Sequence, residues 1–119
     1  MKILISDPIS TTGMQILKNA NFTILDYQKK NIDVEILSEI DGWIIRSGTE
    51  VNKNYLKKAK KLQVIGRAGV GVDNIDVSEA TKNGVIVMNT PDSNTISAAE
   101  HSFALIAALS RNIHSGHLN

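Results

Sequence analysis

Short apolar runs alternate along this chain with segments whose apolar residues recur at helical spacing. Lys2–Ser6 is a β-type run closed by Asp7-Pro8. Ser10 can cap a helix over about Thr11–Asn19, where Met14, Ile16 and Leu17 are apolar. Phe22–Tyr27 predicts a second strand. Ile32, Ile36 and Ile40 form a helical stripe, which predicts a helix over Asn31–Ile40. Gly42–Arg46 predicts a third strand, in which Trp43-Ile44-Ile45 leaves little room for a solvent-facing side. A basic amphipathic helix over Asn52–Lys61, a strand over Leu62–Gly66 and a helix over Ile75–Asn83 follow, with Asn83-Gly84 as its stop. Val85–Met88 predicts a fifth strand and Ser97–Ile113 the longest helix.

This β–α alternation predicts an α/β fold: a parallel sheet of about five strands with helices on both faces. The strands are continuous apolar runs, as expected where both sides of a sheet are covered. The last helix carries a second message. Ile96, Ala98, Ala99 and the run Phe103–Leu109 go nearly all the way round the cylinder, so burial on every side is expected. One sheet covers only one side of a helix, and the other is expected to meet another domain or subunit. With no further strand before Asn119, the chain reads as one piece of a larger protein.

Composition narrows the partners. A length of 119 residues suits one domain. The 13 basic residues nearly balance the 12 acidic ones, which argues against nucleic acid as a partner, since that requires a basic face. The absence of cysteine removes disulfides, thiolate metal sites and a cysteine nucleophile, and fits a reducing cytoplasm. Ile3-Leu4-Ile5 is too short for a secretory segment, and Ile96–Leu109, interrupted by Glu100 and His101, is too short to span a bilayer. No membrane association is expected.

Ligands of open parallel sheets bind outside the carboxyl ends of the strands. Three stretches fall there: Arg46-Ser47-Gly48-Thr49, Arg67 to Gly71, and Asn89-Thr90-Pro91. Arg46 can hold a carboxylate or phosphate bidentately, and Ser47 can add a hydroxyl donor; the plainer alternative for Arg46 is a surface salt bridge. The loop Gly66-Arg67-Ala68-Gly69-Val70-Gly71 can offer successive backbone N–H groups to an anion, or can simply be a tight turn. It does not satisfy the dinucleotide fingerprint, whose third glycine would fall at Asn74. Asp73 and Asp76 suit a helix start. His101, on an apolar helix, suits a structural or interface role, and His114 and His117 carry no assignment. The lysines at 53, 57, 58, 60 and 61 form a solvated helix face without the interleaved aromatics that stack bases.

Four ordered motifs together resemble the D-2-hydroxyacid dehydrogenase family: Arg46-Ser47-Gly48-Thr49, Leu62 through Asp76, Val87-Met88-Asn89-Thr90-Pro91, and Asn94-Thr95-Ile96-Ser97-Ala98-Ala99-Glu100. The resemblance covers essentially the whole chain and is closest to the branch acting on 3-phosphoglycerate. It implies a flavodoxin-like segment, residues 1–96, of a substrate-binding domain, and an interdomain helix over 97–119 leading to an NAD-binding domain that lies downstream. It implies that Arg46 contacts anionic groups of the substrate, which would be 3-phosphoglycerate or another 2-hydroxy acid. It implies that Gly69-Val70-Gly71 holds the substrate carboxylate, that Val70 also lies beside the nicotinamide of NAD, and that Ser47 and Asn94 line the cleft. The family's nucleotide fingerprint and catalytic histidine, glutamate and arginine match nothing here, so no catalytic residue is assigned and the chain alone is expected to be inactive. A homo-oligomer is expected.

Two other classes compete with this reading. A receiver-type signalling domain shares the architecture, but needs an aspartate where this chain has Arg46 and clustered acids where it has only Asp7. A non-catalytic module, binding small anions or self-associating through its last helix, is the remaining alternative.

Overall fold

The computed structural model describes residues 1–28, 31–69 and 71–89. In chain order its elements are β1 (Lys2–Ile5), α1 (Thr11–Asn19), β2 (Thr23–Asp26), a 3₁₀ turn (Val34–Ser38), β3 (Gly42–Ile45), α2 (Lys53–Lys58), β4 (Val64–Arg67), α3 (Val77–Lys82) and β5 (Ile86–Asn89). The five strands form one sheet in the order β2-β1-β3-β4-β5, and every pair is parallel. This is the flavodoxin-like order, whose ligand crevice opens where the connections diverge between β1 and β3.

Alternation along the strands sorts the core into two layers. Leu4, Trp43, Ile45 and Ile65 point to one face, where Leu37, Leu56, Ala59, Ile75 and Ala80 cover them. Ile3, Ile5, Ile44 and Val64 point to the other, where Leu17, Met14 and Ile16 of α1 pack. The 3₁₀ turn, α2 and α3 therefore lie on one face and α1 on the opposite one. Residues buried on both sides of one strand explain why the runs are continuously apolar.

Capping fixes where the helices begin and end. Ser10 Oγ accepts from Gly13 N at 3.0 Å, Asn52 Oδ1 from Tyr55 N at 2.9 Å, and Asp76 Oδ1 from Glu79 N at 3.0 Å. Each satisfies an N–H that the first helical turn leaves unpaired. α3 ends in a Schellman arrangement: Val85 N donates to Ala80 O at 2.9 Å and Gly84 N to Thr81 O at 3.1 Å. Gly84 sits there at φ +73°, a conformation costly for any residue with a Cβ. Gly84→Ala is expected to lower stability by about 1 kcal/mol, read as a shifted midpoint in urea.

The helix expected over Asn31–Ile40 is not formed; the segment holds only the 3₁₀ turn. Asp33 caps Glu35 N locally, and Ile36 N and Glu39 N bond three residues back, to Asp33 O and Ile36 O. Leu37 and Ile40 are fully buried all the same, so the apolar residues reach the core through one tight turn. With its bonds closing three residues back from a locally capped start, the segment forms a 3₁₀ turn, the tighter form used in short pieces. Strand β4 also runs later than expected, over Val64–Arg67, because Leu62 closes a turn onto Ala59 O instead of joining the ladder. Arg67 is thereby the last residue of a strand, paired in register with Ile45 and Asn89. The helix expected over Ser97–Ile113 lies outside the described residues. No helix among the described residues is long and apolar enough to cross a membrane.

Candidate functional site

All strands run the same way, so the carboxyl ends of β1, β3, β4 and β5 share one rim. Chain leaving β1 turns towards α1 on one face, while chain leaving β3 turns towards α2 on the other. The loop Arg46–Thr49 stands at that divergence.

Asp7 organises this loop from the β1 side. Its side chain is buried, and its Oδ2 accepts from Arg46 N at 2.6 Å and from Thr49 N at 3.0 Å. A carboxylate taking two backbone N–H groups makes charge-assisted bonds stronger than neutral ones. Beneath it, Trp43 Nε1 donates to Ser6 Oγ at 2.9 Å, and Ser6 Oγ and Thr49 Oγ1 share a hydrogen bond of 2.8 Å. Buried Ser6 and Thr49 are thus satisfied by each other and by the indole.

Asn74 holds the same loop from the β4 side. Its Nδ2 donates to Arg46 O at 2.7 Å and to Thr49 O at 2.6 Å, and its Oδ1 accepts from Arg67 Nε at 2.6 Å. Its backbone carbonyl accepts from Val51 N at 2.8 Å, within a short parallel bridge between Val51 and Ile75. Arg46 is therefore fixed at both its N–H and its C=O, while its side chain is exposed at the rim. Its Nη1 makes one long contact, 3.4 Å to Pro8 O. Among the described residues Arg46 forms no ion pair, so the plainer salt-bridge role is not realised there.

Of the sequence-predicted site residues, Arg46, Ser47 and Gly69 come to this rim. Ser47 is exposed, one position past Arg46. Gly69 N donates to Arg67 O at 2.9 Å. A Cβ on Gly69 would lie 2.5 Å from Arg67 Nη1, so the missing side chain leaves room for that guanidinium. Gly71 follows, half-buried at the start of the Asp73-Asn74 turn. Val70 and Asn94 lie outside the described residues, as do Thr90, Pro91 and all three histidines. A polar cavity of about 430 Å³ adjoins the loop, lined by Ser6, Asn31, Thr49, Glu50, Asn52 and Tyr55. Neither Arg46 nor Arg67–Gly69 lines it.

Sequence reasoning missed two organisers of the site. Asp7 served only as a strand stop and Asn74 only as the residue that spoils a dinucleotide fingerprint. Asp7 was within reach of the rule that singled out Arg46, being polar and directly behind an apolar strand at the rim. Asn74 was visible only as a side chain able to donate twice and accept at once. Its amide is fully engaged in the position where a pyrophosphate cradle needs glycine. The loop therefore lacks the glycine spacing of a dinucleotide fingerprint.

The family model described as "D-isomer specific 2-hydroxyacid dehydrogenase, catalytic domain" matches residues 3–114. The chain belongs to this family. Among curated D-3-phosphoglycerate dehydrogenases, that of Bacillus subtilis is 47% identical over 114 residues, covering 94% of this chain and 21% of its own length. That of Methanocaldococcus jannaschii is 44% identical over 114 residues, covering 95% and 22% respectively. The crystal structure of NAD+-bound 3-phosphoglycerate dehydrogenase from Entamoeba histolytica is 31% identical and superposes with a TM-score of 0.63, over 76% of this chain and 32% of that one. The chain thus spans about a fifth of the length of the curated relatives it matches.

Proposed function

We propose that the chain is the N-terminal part of the substrate-binding domain of an NAD-dependent D-3-phosphoglycerate dehydrogenase, an enzyme of serine biosynthesis. In this reading residues 1–96 form the substrate wall, and residues 97–119 form the helix leading to a nucleotide domain that supplies NAD and the catalytic groups. The parent enzyme transfers hydride between 3-phosphoglycerate and NAD as a homo-oligomer in the cytoplasm. The relatives named above support the substrate, and the geometry of Arg46 supports its place in the site.

That geometry is the observation that carries the reading. An arginine immobilised at both peptide groups, with its guanidinium exposed at the switch point, is pre-organised to take an anion; little of its backbone freedom is left to lose on binding. Ser47 stands next to it as a hydroxyl donor. In the same reading Gly69, Val70 and Gly71 are assigned to hold the substrate carboxylate, and Asn94 to line the cleft. The roles of these residues are to bind and orient the substrate, and none of them moves a proton or hydride.

Titration of the labelled chain with 3-phosphoglycerate, followed by NMR, tests this. Saturable shifts are expected at the Arg46–Thr49 and Gly69–Gly71 amides, and Arg46→Ala is expected to weaken binding at least about tenfold, the scale of one charge-assisted contact. Equal affinities would overturn the role of Arg46. The chain mixed with NAD and 3-phosphoglycerate is expected to form no NADH, and measurable NADH would show that it carries its own catalytic groups.

A further inference from the structure

We propose that Asn74 is a positioning residue for anion binding: it holds Arg46 in place by donating to both ends of the Arg46–Thr49 loop while accepting from Arg67. The proposal rests on the reading of Arg46 given above and goes beyond it to a residue that touches no ligand.

Both hydrogens of one amide are used, at 2.7 Å to Arg46 O and 2.6 Å to Thr49 O. The same amide oxygen takes Arg67 Nε at 2.6 Å. These partners fix which way the amide faces, because two carbonyls require a donor and a guanidinium requires an acceptor. The loop behind β3 is therefore coupled to the last residue of β4 through a single side chain. On its other side, Asp7 fixes Arg46 N and Thr49 N. Loss of Asn74 Nδ2 would release the carbonyl side of the loop alone, leaving Asp7, the sheet register and both core layers in place. Arg46 would then sample more backbone directions, and the ordering would be paid at each binding event.

The discriminating variant is Asn74→Asp. It keeps an acceptor for Arg67 Nε and nearly the same volume, but sets a carboxylate oxygen against two carbonyl oxygens. Affinity of the chain for 3-phosphoglycerate and for inorganic phosphate is measured by NMR titration in wild type, Asn74→Asp, Arg46→Ala and the double variant. Asn74→Asp is expected to weaken both ligands roughly tenfold, the scale of one to two hydrogen bonds. In the Arg46→Ala background it is expected to cause no further loss, because coupled residues are non-additive. A lower melting temperature with unchanged affinity in the folded fraction would reduce Asn74 to a structural residue and overturn the proposal. So would the same fold-loss in both backgrounds. If Asn74→Asp does not fold, Asn74→Ala, which leaves the carbonyls to water, is put through the same cycle with the same criteria. Wild type failing to bind either anion would overturn the reading of Arg46 and this proposal together; binding that depends on Arg46 but not on position 74 would overturn this proposal alone.

Discussion

Replacing Asp7 by alanine is expected to destabilise the chain by about 3 kcal/mol and to free the Arg46–Thr49 loop. The carboxylate is buried and serves two backbone donors through one oxygen. Alanine offers no acceptor, so the buried Thr49 N–H loses its partner. An unsatisfied buried donor costs more than the net worth of the bond it once made. Asp7→Asn is expected to cost roughly half as much, since a neutral amide oxygen can still accept where the charged one did, with weaker bonds. Urea unfolding of the three proteins gives the ranking, and amide exchange at Thr49 gives the mechanism: faster exchange in Asp7→Ala, with the β3 and β4 amides still protected. Unchanged protection at Thr49 would show that the loop is held by something other than Asp7.

Trp43→Ala is expected to have the larger effect on stability, about 4 kcal/mol, as for other large aromatics removed from a core. Domains of this kind have total stabilities of about 5–15 kcal/mol, so the variant is expected to sit near the edge of folding. Trp43 is 1% exposed at the centre of β3, in register between Leu4 and Ile65. Its ring lies 6.0 Å from that of Tyr55, tilted by 53°, so it also fastens α2 to the sheet. Its indole N–H ends in the Ser6–Thr49 hydroxyl pair under the candidate site. Trp43→Phe separates the two roles: it keeps most of the apolar area and removes the donor. About 1 kcal/mol is expected for that change, because Ser6 Oγ keeps its bond to Thr49. A calorimetric melt of both variants checks this, and near-equal losses would mean that the hydrogen bond, not packing, dominates.

The α/β class was legible because it rests on local signals that tertiary structure rarely reverses. The central strand β3 is buried at all four residues and its neighbours β1 and β4 at three each, so their inner runs are free of charge, and the caps Ser10, Asn52 and Asp76 and the stop at Gly84 all act within a few residues of themselves. The 3₁₀ turn was misjudged for the complementary reason. Ile32, Ile36 and Ile40 record which residues need burial, and one tight turn meets that need as well as a helix does. The rim was legible too, since parallel strands place the ends of β3 and β4 together whatever their loops contain.

By itself, then, the sequence determined a five-stranded parallel sheet, its family and the edge at which a ligand belongs, since each follows from period, local capping or an ordered set of motifs. The tertiary structure alone decided how that edge is built. Asp7 and Arg46 are 39 residues apart, and Asn74 reaches back across 28 residues to Arg46 and 25 to Thr49. Hydrogen bonds of that span leave no periodicity in a chain. They depend on strand order and on the direction of individual donors and acceptors, which exist only once the sheet has formed.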